Sequence, residues 1–324
     1  MLSRRALLMT GAGAVAAALG TGAVGRRFRA DLEAATARIE GRSRTVEARF
    51  GTLEYAEAGE GPPLLMVHGT GGGFDQGLAF ARPLAMRGWR IVAPSRFGYL
   101  RSSFPGDPSS ANQADVFADL LDRLGIDRIP IAGGSAGALS AIEFAVRHPD
   151  RCSALVAIVP ATHVPGRDPG LPNALQNAVA QAMLGSDFLF WSAITALPGA
   201  MTGTILATDP ALVSAASPAE QERVATILRD ILPVSRRARG LLNDGRLAGN
   251  PAPSDLKAIR APTLAISLED DRYGTAAAAR HIAAEIPSAQ LVIYPQGGHV
   301  WVGHDAELFA GVDRFLRESV RAAP

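Results

Sequence analysis

Apolar and polar positions along the chain change period repeatedly, and the changes divide it into segments. Arg4 and Arg5 precede an uncharged, Ala- and Gly-rich run from Ala6 to Gly25, closed by Arg26, Arg27 and Arg29. Asp31 to Arg44 is polar with helical spacing and predicts a short linker helix over 30–44. From Thr45 the pattern alternates, is punctuated by Gly51, and alternates again to Glu57, which predicts a β-hairpin. Short apolar runs then predict buried strands at 63–67, 89–94, 129–132, 154–159, 262–267 and 290–294. Helical patterns fall between them at 76–87, 111–124, 136–147 and 275–286, with a last one at 305–320. Strands alternating with helices predict an α/β fold with a mostly parallel central sheet covered on both faces. The alternation lapses over 162–255, where helical stretches are broken by Gly and Pro, too long a segment for a connecting loop. The expected organisation is therefore 1–29, a linker helix at 30–44, a core built from 45–161 and 256–324, and a helical insertion at 162–255.

Gly133-Gly134-Ser135-Ala136-Gly137 fits G-x-S-x-G and sits between a predicted buried strand and a helix. That setting gives the glycines a reason. A nucleophile lifted out of a sharp strand-to-helix turn has a strained backbone with no room for side chains beside it, and the new helix offers free N–H groups to negative charge. Three further motifs stand at strand ends: His68-Gly69-Thr70-Gly71-Gly72-Gly73, Glu269-Asp270-Asp271 and Gly297-Gly298-His299. Together, in this order, they resemble the α/β-hydrolase fold family, in its lidded serine hydrolase form, from about Thr45 to the end of the chain. The resemblance implies Ser135 as nucleophile, His299 as general base and Asp271 as the acid that orients it. It also implies backbone N–H donors to the oxyanion from Ala136 and Thr70, with Gly71 as the alternative. It further implies that the insertion is a lid over an apolar pocket. No cofactor is required. The expected reaction is hydrolysis of a carboxylic ester or related acyl substrate, the partner being a small apolar acyl compound. Carbon–carbon bond hydrolysis of a ring-cleavage product is the alternative. It needs a lid arginine facing Ser135, for which Arg236, Arg237 and Arg239 are the candidates. Cofactor-free perhydrolysis and a purely ligand-binding role are the others.

Several residues compete for these roles. Asp270 adjoins Asp271, and Asp168 follows an earlier strand at a distance. His304 starts the last helix, where a structural or capping role is expected, and His68 is expected to hold its own loop. Phe188, Phe190 and Trp191 are the lid residues best suited to meet substrate, although packing inside the lid suits at least two of them. Two features depart from the common family pattern. Gly134 precedes the serine where a bulkier residue is usual, and Pro94-Ser95-Arg96-Phe97-Gly98-Tyr99 replaces the frequent Asp-x-Arg-Gly-x-Gly.

Composition narrows the remaining classes. In 324 residues the formal net charge is +1, which argues against a nucleic-acid surface. Lys257 is the only lysine, a bias spread over scattered arginines. The single cysteine, Cys152, cannot form an intrachain disulfide and reads as a buried structural thiol. His148 and His163 lack paired ligand spacing, so no metal is expected. Gly11-Ala12-Gly13-Ala14-Val15-Ala16 fits a dinucleotide fingerprint in form, with Asp31 at a tempting distance, but no βαβ unit surrounds it. The arginine pair followed by a weakly apolar run resembles a twin-arginine export signal, with small residues at Thr21, Ala23 and Gly25 for cleavage. The same run could reach about 30 Å as a helix and serve as a retained membrane anchor. The expected location is thus outside the cytoplasm or at the membrane, with membrane contact only through this segment and a cytoplasmic location as the alternative.

Overall fold

The computed structural model describes residues 4–167, 174–287 and 289–321. Asp168 lies outside them. The chain opens with α1 (Arg4–Ile39), then forms β1 (Arg44–Ala48), β2 (Gly51–Ala58), β3 (Pro63–Val67), α2 (Phe74–Phe80), α3 (Arg82–Ala85), β4 (Arg90–Pro94), α4 (Ser110–Leu124), β5 (Ile129–Gly134), α5 (Gly137–Arg147) and β6 (Cys152–Ile158). Helices α6 (Ala174–Leu184), α7 (Asp187–Ala196), α8 (Pro198–Ile205), α9 (Pro210–Ala215), α10 (Pro218–Arg229) and α11 (Ala238–Gly249) follow without a strand among the described residues. The strands resume at β7 (Thr263–Leu268), then α12 (Thr275–Glu285), β8 (Ala289–Tyr294) and α13 (Asp305–Arg321).

The eight strands form one sheet in the order β1-β2-β4-β3-β5-β6-β7-β8. The hairpin β1–β2 joins β4 antiparallel, and every pair from β4 to β8 is parallel. The residues explain the burial. Strands β5 and β6 are buried along their whole length, so apolar residues occupy both faces and no alternation survives. Strand β1, at an edge, carries exposed and half-buried positions. One face of the sheet is covered by α4, α5 and α12 through Phe117, Leu121, Ile142, Phe144 and Ile282. The other is covered by α2, α3 and α13 through Phe74, Leu84, Phe309 and Phe315. Helix α4 shows the local signals clearly. The Ser109 hydroxyl accepts from the Asn112 amide at its start, and Gly125 ends it in the left-handed region at φ 64°.

Two expectations about helices change. The predicted 76–87 helix is broken at Ala81, because Pro83 opens a new turn rather than extending the old one. The linker helix expected over 30–44 is the distal part of α1, which runs unbroken for 36 residues and stops at Ile39, while Arg44 already belongs to β1. No proline interrupts it, and its distal part finds partners. Ala35 joins a third apolar cluster with Phe190, Trp191, Ile194, Val224, Leu228 and Ile231 of the insertion. The Trp191 Nε1 donates to Asp31 at 2.8 Å, and Phe28 meets Phe188 edge-on at 5.2 Å between ring centres. Arg38 bridges the two layers: it pairs with Asp75 of α2 and with Asp230, and donates to the carbonyls of Asp230 and Leu232.

Candidate active site

Parallel register brings the carboxyl ends of β3, β5 and β7 to one edge, with Val67 opposite Gly133, Gly134 opposite Ile158 and Ile158 opposite Ile266. The loops leaving that edge carry the chemical groups. Ser135 turns the chain from β5 into α5 at φ 51°, a conformation that costs a non-glycine residue energy and is sustained here by packing. Its amide donates to the Ile158 carbonyl at 2.9 Å. The flanking glycines are steric requirements. A Cβ on Gly137 would lie 2.4 Å from the His68 carbonyl oxygen, and one on Gly133 would lie 2.7 Å from that of Gly137. Gly134 differs: a Cβ there meets nothing within 4 Å, so the missing bulk leaves open space next to the serine.

His299 sits in the loop after β8, bounded by Gly297 and Gly298, both at positive φ. Its Nε2 is 2.9 Å from the Ser135 Oγ and its Nδ1 is 2.8 Å from Asp271 Oδ2. An ionised carboxylate can only accept, so Nδ1 carries the proton and Nε2 is free to accept from the serine hydroxyl. Asp271, just past β7, also accepts from the Tyr273 amide at 2.9 Å and from the Thr275 hydroxyl. Burial raises its pKa, but the charge and hydrogen bond of His299, together with Thr275 and the Tyr273 amide, outweigh it and hold the carboxyl below its ordinary range. The Tyr273 ring stands edge-on to the imidazole at 4.9 Å. Burial, then the Asp271 charge, pushes the Tyr273 hydroxyl up to about 12.

The competing residues take other positions. Asp270 accepts from the Gly297 and Gly298 amides at 3.1 and 2.9 Å, and so pins the loop that carries His299. His304 stacks on Tyr294 and pairs with Glu307 at the start of α13. His68 is fully buried: its Nε2 accepts from the Arg96 amide at 2.9 Å, so its Nδ1 donates to the Gly69 carbonyl at 2.7 Å. Burial, with the Arg96 charge beside it, keeps its pKa well below the ordinary value, so it stays neutral.

The loop after β3 has its amides sorted. Gly69 donates to Gln76 Oε1, Gly71 to the Tyr99 hydroxyl and Gly72 to the Gly69 carbonyl. Among the described residues, the amides of Thr70 and Ala136 have no such partner. Gly71, the alternative donor, is already committed.

The groups that hold this loop come from distant parts of the chain and carry no motif. Arg96 donates to the carbonyls of His68 and Gly69 and forms a bidentate pair with Asp244 of α11, both contacts at 2.6 Å. A buried carboxylate, Glu54 of β2, stands beside this segment. Glu54 accepts from Ser95 at 2.9 Å and from Arg101 at 2.8 Å.

The three candidate arginines of the insertion are all engaged with other groups. Arg237 is fully buried against Asp75 and the Gly72 carbonyl, Arg236 pairs with Glu40, and Arg239 lies over the Phe104 ring at 5.0 Å. Phe190 and Trp191 are 1% and 5% exposed inside the insertion's own cluster, and Phe188 packs on Phe28, so these three rings pack within the insertion and against α1. Cys152 is buried at the start of β6 with its thiol pushed up to about 12 by burial, an inert group.

Over residues 62–302 the chain matches the alpha/beta hydrolase fold family. The chain belongs to that family. It is 30% identical over 268 residues, 79% of this chain and 88% of the relative, to the 2-hydroxy-6-oxononadienedioate/2-hydroxy-6-oxononatrienedioate hydrolase 2 of Pseudomonas putida. Among solved structures it resembles an alpha/beta hydrolase fold protein from Nakamurella multipartita, with 28% identity, a TM-score of 0.71, and 85% of this chain and 99% of that one covered. It also shares a fold with a membrane phospholipase A, at 23% identity and a TM-score of 0.65. That likeness covers 99% of this chain and 100% of the other, and so takes in the N-terminal helix.

Proposed function

We propose that this hydrolase cleaves a carboxylic ester, or a related acyl compound, through an acyl-enzyme on Ser135. The observation that carries the reading is the continuous relay Ser135–His299–Asp271, with contacts of 2.9 and 2.8 Å. Ser135 Oγ attacks the carbonyl carbon while His299 Nε2 takes its proton. The oxyanion is held by the Thr70 and Ala136 amides. When the tetrahedral species collapses, His299 returns the proton to the leaving alkoxide. Water, deprotonated by the same nitrogen, then releases the acid. Asp271 keeps the imidazole in the required tautomer. The insertion, as a lid, would shape the acyl pocket, and the space beside Gly134 would widen it.

Carbon–carbon bond hydrolysis is the second reading, favoured by the name of the Pseudomonas putida relative. Against it stands the engagement of Arg236, Arg237 and Arg239 elsewhere. The test is reaction with a fluorophosphonate probe beside Ser135→Ala, followed by p-nitrophenyl esters and a vinylogous 1,5-diketone assayed in parallel. Labelling lost in the variant, with ester turnover exceeding diketone turnover, supports the first reading. The reverse ratio supports the second, and no labelling of folded protein removes both.

We also propose that α1 is retained as a membrane anchor rather than cleaved. The helix passes unbroken through Thr21, Ala23 and Gly25 into a segment docked on the insertion. Recovery of the full chain in the soluble fraction of carbonate-washed membranes would refute it.

A further inference from the structure

The loop that carries the proposed oxyanion donor is held from outside the core, by the insertion. Tyr99, in the loop after β4, is wholly buried, and its hydroxyl accepts from the Gly71 amide at 3.2 Å while donating to Asp244 Oδ2 at 2.5 Å. Asp244 comes from α11 and is 1% exposed. Its other contacts are Nη1 and Nη2 of Arg96, whose Nε and Nη2 also donate to the carbonyls of His68 and Gly69. Burial, and next the Asp244 charge, lift the Tyr99 pKa well above the ordinary range, so the hydroxyl keeps the proton it donates. Helix α11 is keyed into place by backbone. The Gly240 amide donates to the Gly98 carbonyl at 3.1 Å, and a Cβ on Gly240 would lie 2.2 Å from the Tyr99 ring. A second group of the insertion, Arg237, reaches the same loop at the Gly72 carbonyl.

We infer that Tyr99 and Asp244 are positioning residues that select which amide of this loop serves the oxyanion. This rests on the assignment of Ser135 as nucleophile and deepens it. The loop offers two neighbouring amides, of which one, that of Gly71, is already given to Tyr99. By accepting from Gly71, the Tyr99 hydroxyl turns that N–H away and leaves the Thr70 N–H as the donor that faces the reacting carbonyl. Asp244 fixes the hydroxyl's orientation, since a phenol that donates to a carboxylate presents its lone pairs elsewhere. It follows that α11 belongs to the catalytic framework. Any opening of the insertion must therefore occur in its other helices, with α11 left in place.

Tyr99→Phe removes one oxygen from a buried ring and keeps its shape, which makes it the discriminating variant. Loss of an oxyanion donor outright costs about 10²–10³ in kcat. Misorientation of one of two donors is expected to cost about tenfold. With a p-nitrophenyl ester, Tyr99→Phe is expected to lower kcat about tenfold with KM within twofold of native. It is also expected to weaken inhibition by a trifluoromethyl ketone by the same factor, because that inhibitor mimics the tetrahedral species. The thermal midpoint should move by only a few degrees. Asp244→Asn, which keeps the shape but not the charge, should lower kcat and ketone affinity in the same proportion to one another. Native kcat and ketone affinity in Tyr99→Phe would overturn the inference. So would a loss that falls equally on kcat, KM and the thermal midpoint, since that is a packing effect. If Ser135→Ala keeps turnover, the nucleophile assignment itself falls. If Ser135→Ala is inactive and Tyr99→Phe matches the native enzyme, only the positioning role falls.

Discussion

Replacing Asp271 by Asn, beside the same change at Asp270, separates two adjacent carboxylates that the chain uses differently. The native pair places the Asp271 oxygen 2.8 Å from His299 Nδ1. In the proposed mechanism a full positive charge appears on that ring when the serine gives up its proton. With the charge centres about 3 to 4 Å apart and an effective dielectric of about 20, the attraction is about 4 to 6 kcal/mol. At 1.36 kcal/mol per decade this corresponds to a loss of roughly three to four decades in kcat. An amide at 271 also permits the wrong imidazole tautomer, which would turn an N–H toward the serine. Asp270→Asn removes no charge facing His299. It keeps one acceptor for the Gly297 and Gly298 amides and sacrifices about one hydrogen bond, worth about 1 kcal/mol. Its kcat should stay within about tenfold of native. Saturation kinetics on one p-nitrophenyl ester, with both variants checked for a native circular dichroism spectrum, decide the matter. Less than a tenfold loss in Asp271→Asn, or a larger loss in Asp270→Asn than in Asp271→Asn, would refute the reasoning.

Three further outcomes are expected. Gly137→Ala forces a Cβ to 2.4 Å from the His68 oxygen and should cost about 1–3 kcal/mol by urea unfolding, whereas Gly134→Ala, with nothing within 4 Å, should stay within about 0.5 kcal/mol. His68 is held below its ordinary value of 6.5, so native protein refuses a proton that the unfolded chain accepts. Stability should therefore fall as pH is lowered from about 6.5 toward the native value, and the urea midpoint of His68→Asn should show a shallower pH slope over that window. Asp271 gives a second acid-side dependence. Its contribution is present above its unfolded value, near 3.8, and lost as pH falls through its lower native one, so the stability gap between native and Asp271→Asn should be constant above about pH 5 and close on further acidification.

The core was legible because its signals are local. A strand buried on both faces, such as β6, is a run of apolar residues whatever lies beside it, and Gly133 and Gly137 record a steric demand within five positions. The order of the motifs then placed each of them at a strand end. The supports of the site were not legible, because each joins residues far apart in sequence. Arg96 and Asp244 are 148 positions apart, and neither sits in a pattern that marks it from a solvated charge. The polar face of α1 read as a linker for the same reason: Asp31 and Arg38 look exposed until Trp191 and Asp230 arrive from the insertion. For the aromatic run of α7 the sequence left substrate contact and packing inside the insertion both open, since composition does not tell which side of a helix a neighbour will cover; Phe190 and Trp191 pack, as expected of at least two of the three.

The family likeness begins at residue 62, yet the folding unit begins earlier. Arg38 lies between Asp75 of the core and Asp230 of the insertion, at 3.3 and 3.0 Å. Burial already raises the pKa of Asp230, and Asp75 adds to the effect. A fusion partner joined in place of residues up to Ile39, or a chain trimmed to its first strand, would leave Asp75 paired with Arg237 alone and Asp230 without its ion-pair partner. The expected penalty falls on the seam between insertion and sheet, so that a version trimmed by homology would express as a soluble core with a loosened cap.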